Sequence, residues 1–402
     1  MAFAREINCL KDAQKAIRLP ALQRLHTDLP HLSPSDLQEL FPALRKPLLD
    51  LLSDPVDKCR ELTVSLLSTL NAQMPDFEAE NVLEAMNRRL TAESVEEIRL
   101  MEVKLVQEIV TKRSEVLGNA VGEVGALVAK AFKDPFPLVK QEAASLLQCL
   151  AVHFSAHLSL LSSQILQSCI PCLTHQHSKV RLSTLHALGT LLHTTGASDL
   201  LQPLYPVLKQ KLRYDRAAVV RREVYEVLAE CLLRYSQEAL RLEVDLEGKG
   251  LCSVEILLNY LLISGLGDPE MAAFVSELLT KVNARRVPCY VTGLEALLRL
   301  SLADCTEWTV QERSKTRGAA ALLALTTLAG PAVRPFLDFV IQTVLKAYTD
   351  SEEAEQRSLY EAVIGKFAQN VPLASLFESL KGKIPPQASS PSQRTSLMVG
   401  FI

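Results

Sequence analysis

An apolar pattern that returns about every forty residues limits what this chain of 402 residues can fold into. Its clearest copy is Val139, Ala143, Leu146, Leu147 and Leu150, offsets that lie on one face of an α-helix. The same template fits Cys59, Thr63, Leu66, Leu67, Leu70 and Val180, Thr184, Ala187, Leu188, Leu191. It fits again at Val220, Val224, Val227, Leu228, Cys231 and at Met271, Val275, Leu278, Leu279, Val282, with weaker copies from Ile98, Glu312 and Glu355. The starts at 59, 98, 139, 180, 220, 271, 312 and 355 are separated by 39, 41, 41, 40, 51, 41 and 43 residues, so one interval is long.

Charge follows the same period. A base comes just after most starts (Arg60, Arg99, Lys140, Arg181, Arg221, Arg313), and an acid stands five residues before most (Asp54, Glu93, Asp134, Asp215, Glu307, Asp350). The fourth copy has His175 in the acid's place. The sixth has Asp268-Pro269 displaced by two with Ala272 for the base, and the eighth has Gln356 with Arg357 beside it. An acid at a helix start satisfies free N–H groups, and an arginine one turn in can pair with the neighbouring repeat's acid. A catalytic pair or an anion site needs to occur once, whereas stacking needs repetition, so the ladder is read as structural.

Another apolar helix precedes each of these, for example Leu37 to Leu52, Leu158 to Leu173, Leu200 to Leu212 and Phe336 to Ala347, with prolines such as Pro42, Pro171, Pro203, Pro206 and Pro335 in or near them. Ser33-Pro34-Ser35-Asp36 reads as an N-cap with proline at the first helical position. A pair of antiparallel helices every ~40 residues is the period of a HEAT or armadillo array, and an Asp-Pro turn followed by Val-Arg/Lys resembles the HEAT signature. The expected fold is therefore all-α, a HEAT-repeat α-solenoid of antiparallel helix pairs, TOG-like and superhelical. Residues 1–236 are expected to hold an N-terminal capping helix (4–28) and repeats one to five. Residues 237–253 read as an acidic, glycine-bearing loop, 254–370 as repeats six to eight, and 371–402 as the start of a further repeat that stops short, as in an isoform or a fragment.

Composition narrows the function classes. Fifteen glycines in 402 residues, against a usual share of about 7%, favour helices over sheets. A net charge of -3 spread along the chain argues against a nucleic-acid binder, and 48% hydrophobic residues against disorder. The N-terminus lacks a signal-peptide order, and nine dispersed cysteines read as reduced thiols. Ala143 to Ser178 carries no Asp, Glu, Lys or Arg, but its Gln and His side chains fit packed helices better than lipid. A cytoplasmic location without membrane insertion is expected.

Single-residue chemistry is sparse. Cys169-Ile170-Pro171-Cys172 with His175 and His177 has donors of the kind zinc takes, but all four converge only if the turn folds back, so no metal is expected. There is no phosphate loop and no nucleophile elbow. Neither a cofactor nor enzymatic activity is expected. The candidates for binding a partner are turn residues: Lys58, His177, Lys179, Arg216, Arg222 and the single Trp308 beside Glu307. Each has a plainer alternative, as a solvated helix start or, for Trp308, a packed side chain.

The strings Asp54-Pro55-Val56-Asp57-Lys58-Cys59-Arg60-Glu61-Leu62, His175-Gln176-His177-Ser178-Lys179-Val180-Arg181, Asp304-Cys305-Thr306-Glu307-Trp308-Thr309-Val310 and Val344-Leu345-Lys346-Ala347-Tyr348-Thr349-Asp350 resemble, in order, the family of HEAT-repeat axonemal dynein assembly factors. The departures are a shorter loop around Asn283 to Pro288 and the absence of the family's further C-terminal repeats. The resemblance implies a cytoplasmic, non-enzymatic scaffold needed to preassemble outer and inner dynein arms for motile cilia. Its implied partners are axonemal dynein heavy and intermediate chains, other assembly factors and chaperones. The alternative is a TOG-type array gripping tubulin through basic turns such as Lys58, Lys179 and Arg216, although TOG arrays look like a tryptophan in an early turn. A transport receptor of the importin kind would need a longer superhelix.

Overall fold

The computed structural model describes residues 3–115, 117–193, 197–245, 251–286, 289–290, 292–306 and 312–380. The chain divides into two compact units, Met1–Leu200 and Leu201–Ile402.

The first unit is built from α1 (Ala4–Cys9), α2 (Lys15–Asp28), α3 (Pro34–Leu51), α4 (Asp57–Gln73), α5 (Ala79–Arg89), α6 (Glu96–Arg113), α7 (Val121–Ala131), α8 (Pro137–His153), α9 (Ser155–Cys169) and α10 (Ser178–Leu192). Helices α3/α4, α5/α6, α7/α8 and α9/α10 pack as consecutive pairs. Their second members stack in one row, α2, α4, α6, α8, α10, and α5, α7 and α9 stack in another. The apolar template is the buried face of each second helix. Val139, Ala143, Leu146, Leu147 and Leu150 are fully buried, as are Val180, Thr184, Ala187, Leu188 and Leu191. Burying such side chains, at ~25 cal/mol per Å² of apolar surface, is what holds a stack whose members each expose an apolar face alone. The Ser33 cap forms as the sequence requires. The Asp36 N–H donates to Ser33 Oγ at 3.2 Å, and Ser33 Oγ donates to Asp36 Oδ2 at 2.6 Å.

The second unit takes in the rest of α11 (Ala197–Gln210), then α12 (Ala218–Arg234), α13 (Gln237–Arg241), strands β1 (Glu243–Asp245) and β2 (Leu251–Ser253), α14 (Val254–Ile263), α15 (Ala272–Arg285), α16 (Leu294–Thr306), α17 (Glu312–Ala329), α18 (Leu337–Thr349), α19 (Ala354–Asn370) and α20 (Leu373–Leu380). Where a loop was expected over 237–253, a short helix leads into an antiparallel ribbon that pairs Val244 with Cys252. The cause is an alternation too brief to stand out in sequence. Val244 and Cys252 are buried, while Glu243 and Leu251 are exposed.

Two weak copies of the template sit in a different register from the one expected. Helix α19 buries Gln356, Tyr360, Val363, Ile364 and Phe367, one residue later than a start at Glu355. Helix α17 buries Gly318, Leu322, Leu325, Thr326 and Ala329 rather than starting at Glu312. A glycine start carries no apolar signal. Its role is proximity: a Cβ on Gly318 would stand 2.8 Å from both Cys305 Sγ and Ser301 O. The apolar stretch Lys315–Thr349 has the length and composition of a membrane span. It is two helices, α17 and α18, joined by the 3-10 segment Gly330–Phe336, with Leu322, Val333, Val340 and Val344 buried in the stack.

Candidate interaction surface

The charged ladder joins one repeat to the next. Arg18 meets Asp54 through Nε at 2.6 Å and Nη2 at 3.1 Å. Arg60 meets Glu93 at 2.6 and 2.7 Å, and Arg99 meets Asp134 at 2.7 and 3.1 Å. Each guanidinium also donates to the carbonyl six residues back: Arg18 to Asp12 O, Arg60 to Asp54 O, Arg99 to Glu93 O. Each acid in turn caps the N–H two residues on, with Val56 donating to Asp54 Oδ1 at 2.8 Å, Val95 to Glu93 Oε1 at 2.9 Å and Phe136 to Asp134 Oδ1 at 2.8 Å. Burial alone would raise the Glu93 carboxyl, but the hydrogen bonds from Arg60 and the Val95 N–H hold it below its usual value. Buried pairs of this kind add little net stability over apolar substitutes, yet losing one partner costs about 3–5 kcal/mol, so they fix which surfaces stack.

The first rung stands ahead of the repeats expected from sequence: Asp12 and Arg18 lie in the N-terminal 4–28 segment and keep the six-residue spacing of Asp54 to Arg60 and Glu93 to Arg99. The Gln14 N–H donates to Asp12 Oδ1 at 2.8 Å, as in the later turns.

The ladder changes in the second unit. Arg221 binds Asp268 at 2.7 Å, so the displaced acid of the sixth repeat keeps its role. The same carboxylate oxygen takes Arg317 at 2.8 Å, and Arg317 also donates to Tyr225 Oη at 2.6 Å. Arg317 is thus the buried guanidinium of the seventh repeat. The Arg313 side chain and Trp308 lie outside the described residues. Helix α17 lies close against Gly267 of the preceding turn, where a Cβ would stand 2.6 Å from Arg317 Cα. A second buried group surrounds Asp304, with Arg213 Nη2 at 3.0 Å, Lys209 Nζ at 3.3 Å and the Tyr260 hydroxyl as donor. Arg213 also donates to Ser264 Oγ at 2.7 Å.

Among the described residues, one joint of the first unit shows no ion pair of this kind. Between the third and fourth repeats Lys140 replaces arginine and His175 replaces the acid. Lys140 Nζ donates instead to Phe132 O at 2.7 Å. His175 keeps the capping role, its Nδ1 accepting the His177 N–H at 3.1 Å, which requires that nitrogen to be unprotonated. Burial lowers the His175 pKa, and Lys140, His177 and Arg181 push it the same way. A histidine held neutral loses stability for the fold as pH falls below its unfolded value of about 6.5. His175→Asp is expected to supply Lys140 with a counter-ion, raising stability by about 1 kcal/mol at pH 7 and more at pH 6. Thermal melts of both chains across pH 5.5–8 check this, and an unchanged or lowered midpoint at pH 6 contradicts it.

The proposed partner-binding residues divide. Lys58, His177, Lys179, Arg216 and Arg222 are all exposed at the turns or first helical turns. Lys58 is tied to Glu61 at 2.7 Å, and Arg222 lies 4.3 Å from the Phe274 ring centre and 3.4 Å from Glu226. His177 and Lys179 line one shallow groove together with Pro137, Gln141, Gln176 and Ser178. The cysteines next to them turn inward. Cys169 and Cys172 are buried, and the Cys172 thiol donates to Phe132 O at 3.2 Å. Among the described residues no three His, Cys, Asp or Glu side chains are grouped as metal ligands.

Stacked helix pairs stapled by inter-repeat arginines define a helical-repeat protein of the HEAT and armadillo class. The chain belongs to the family described as dynein axonemal assembly factor 5-like, TPR repeats, which it matches over residues 9–238, more than half its length. The repeat starts in that stretch return at 39, 41, 41 and 40 residues, nearer the ~40–47 of a HEAT repeat than the ~34 of a TPR. It is 30% identical over 241 residues to dynein axonemal assembly factor 5 of Xenopus laevis, covering 58% of this chain and 28% of that protein. It is 26% identical over 436 residues to the Homo sapiens protein of the same name, covering 96% of this chain and 49% of that one. The chain therefore spans at most about half the length of the curated relatives it matches. Among solved structures, Kap121p bound to Nup53p is similar with a TM-score of 0.53 and 14% identity, covering 99% of this chain and 41% of that one, which shows the fold alone.

Proposed function

We propose that this chain is a non-enzymatic cytoplasmic scaffold for preassembling outer and inner axonemal dynein arms destined for motile cilia, a reading supported by a family name that speaks of axonemal dynein assembly. The observation that carries the reading is family membership over residues 9–238. The ladder supports it: the acids and arginines that recur along the chain are bonded to each other and to turn backbone, so they are engaged in stacking. Its partners on this reading are dynein heavy or intermediate chains together with other assembly factors and chaperones. Repeat arrays suit such work because many moderate contacts along one surface add up.

Tubulin gripping by basic turns is the competing reading. It is weakened at the first turn, where Lys58 is neutralised by Glu61 with Asp57 exposed beside it. Size-exclusion chromatography of the purified chain with αβ-tubulin separates the two. The scaffold reading expects separate elution at physiological salt, and a stoichiometric complex would overturn it in favour of a TOG-type array.

A further inference from the structure

The turn edge of the first unit changes sign along its length. Its first two turns carry exposed acids, Asp57 in one and Glu96 and Glu97 in the other. The third and fourth turns do not. Residues 133–138 and 174–179 contain a single carboxylate, Asp134, which is buried in its pair with Arg99. Their exposed charged groups are Lys133 and Lys179, and His177 is exposed at the start of α10. The nearest acid on α8, Glu142, is half-buried and feels Lys104 of α6. Between these turns runs the groove of Pro137, Gln141, Gln176, His177, Ser178 and Lys179. Leu138, next in sequence to the groove's Pro137, is 47% exposed and Phe136 is half-buried.

We propose that this groove docks a short acidic segment of a protein partner, its carboxylates facing Lys133 and Lys179 and an apolar side chain resting on Leu138. The proposal deepens the scaffold reading by naming what one contact recognises. Charge complementarity supports it, because a carboxylate meets cations here without a competing exposed acid, whereas exposed acids compete for the cations at the two preceding turns. The exposed Leu138 and half-buried Phe136 favour a peptide over a small anion, which would make no use of them. The amides of Gln141 and Gln176 can pair with an extended backbone. The charge change at Glu96 and Glu97 limits the segment to the width of two turns.

The test uses the full chain and a fluorescein-labelled octapeptide of six glutamates and two leucines, followed by anisotropy at 50 and 150 mM salt. Saturable binding that weakens with salt is expected, with the lysine counterpart of the peptide not binding. Lys133→Glu with Lys179→Glu should weaken binding at least about tenfold, and the neutral Lys133→Gln with Lys179→Gln by an intermediate factor. Lys58→Glu should leave it within about twofold, because that turn is already mixed in sign. Absence of saturable binding, equal binding of the lysine peptide, or binding that survives both double variants would overturn the proposal. These outcomes are read without dynein, so failure here leaves the assembly reading to its own test.

Discussion

Replacing Asp304 by alanine should unfold the second unit at milder conditions than any other single change, with a loss of about 3–5 kcal/mol. The carboxylate is fully buried at the end of α16 and is the counter-ion for Arg213 and Lys209, while the Tyr260 hydroxyl donates to it. Arg213 is itself 1% exposed and cannot regain water when its partner goes. Its remaining contacts, Ser264 Oγ and the Tyr214 hydroxyl, are neutral. The alanine variant therefore leaves an uncompensated guanidinium in an apolar setting, which is the costly case. Asp304→Asn keeps the volume and an acceptor and should lose less. Hydrogen exchange locates the effect: amides of α12, α14 and α16 should lose protection, while α2, α4 and α6 of the first unit keep theirs. A loss under about 1 kcal/mol would show that the Asp304 group is hydrated or dispensable.

Glu102 gives the second large effect, and it runs in the opposite direction. This residue occupies the place in the α6 template that Thr63, Ala143, Thr184 and Val224 fill elsewhere, and it is 1% exposed with no partner for Oε2. Burial, and then the charge of Glu93, push its carboxyl up to about 8. Protonated in the folded chain and ionised in the unfolded one, it binds a proton on folding between its unfolded value near 4.5 and about 8. Stability is therefore complete below that window and falls as pH rises through it. At about 1.4 kcal/mol per pKa unit the cost is on the order of 3 kcal/mol at pH 7 and somewhat more above pH 8. Glu102→Gln should stabilise the first unit by about 2–3 kcal/mol at pH 8, with much less gain at pH 5, flattening its dependence on pH. Denaturant titrations at the two pH values check this, and an equal effect at both would mean the carboxyl titrates normally.

Residues whose type carries a signal made the fold legible. The apolar positions of α4, α8, α10 and α12 have side chains that only a buried face explains, and the arginines and acids around them repeat at a constant spacing. The pairing of Arg60 with Glu93 followed from that spacing. What escaped was whatever works without a side chain or by contrast with its neighbours. Gly318 starts the buried face of α17 where a side chain would clash, and Gly267 lets α17 come close to the Ser264–Gly267 turn through the same lack of a side chain. Asp12 and Arg18 were hidden because the template that would start at Ile17 meets Arg24 and Asp28 where apolar residues are expected. The strands Glu243–Asp245 and Leu251–Ser253 are too short for alternation to register. At the candidate surface, exposure of Lys58, His177, Lys179, Arg216 and Arg222 was readable from turn position. That Lys58 is neutralised while Lys179 borders a groove depends on which neighbours the stacking brings near, information that is not local to any turn.

The most direct measurement is affinity purification of this chain from cytosol of cells building motile cilia, read by quantitative mass spectrometry. The assembly reading predicts enrichment of axonemal dynein heavy or intermediate chains with chaperones and without stoichiometric tubulin. Stoichiometric αβ-tubulin with no axonemal dynein would contradict it.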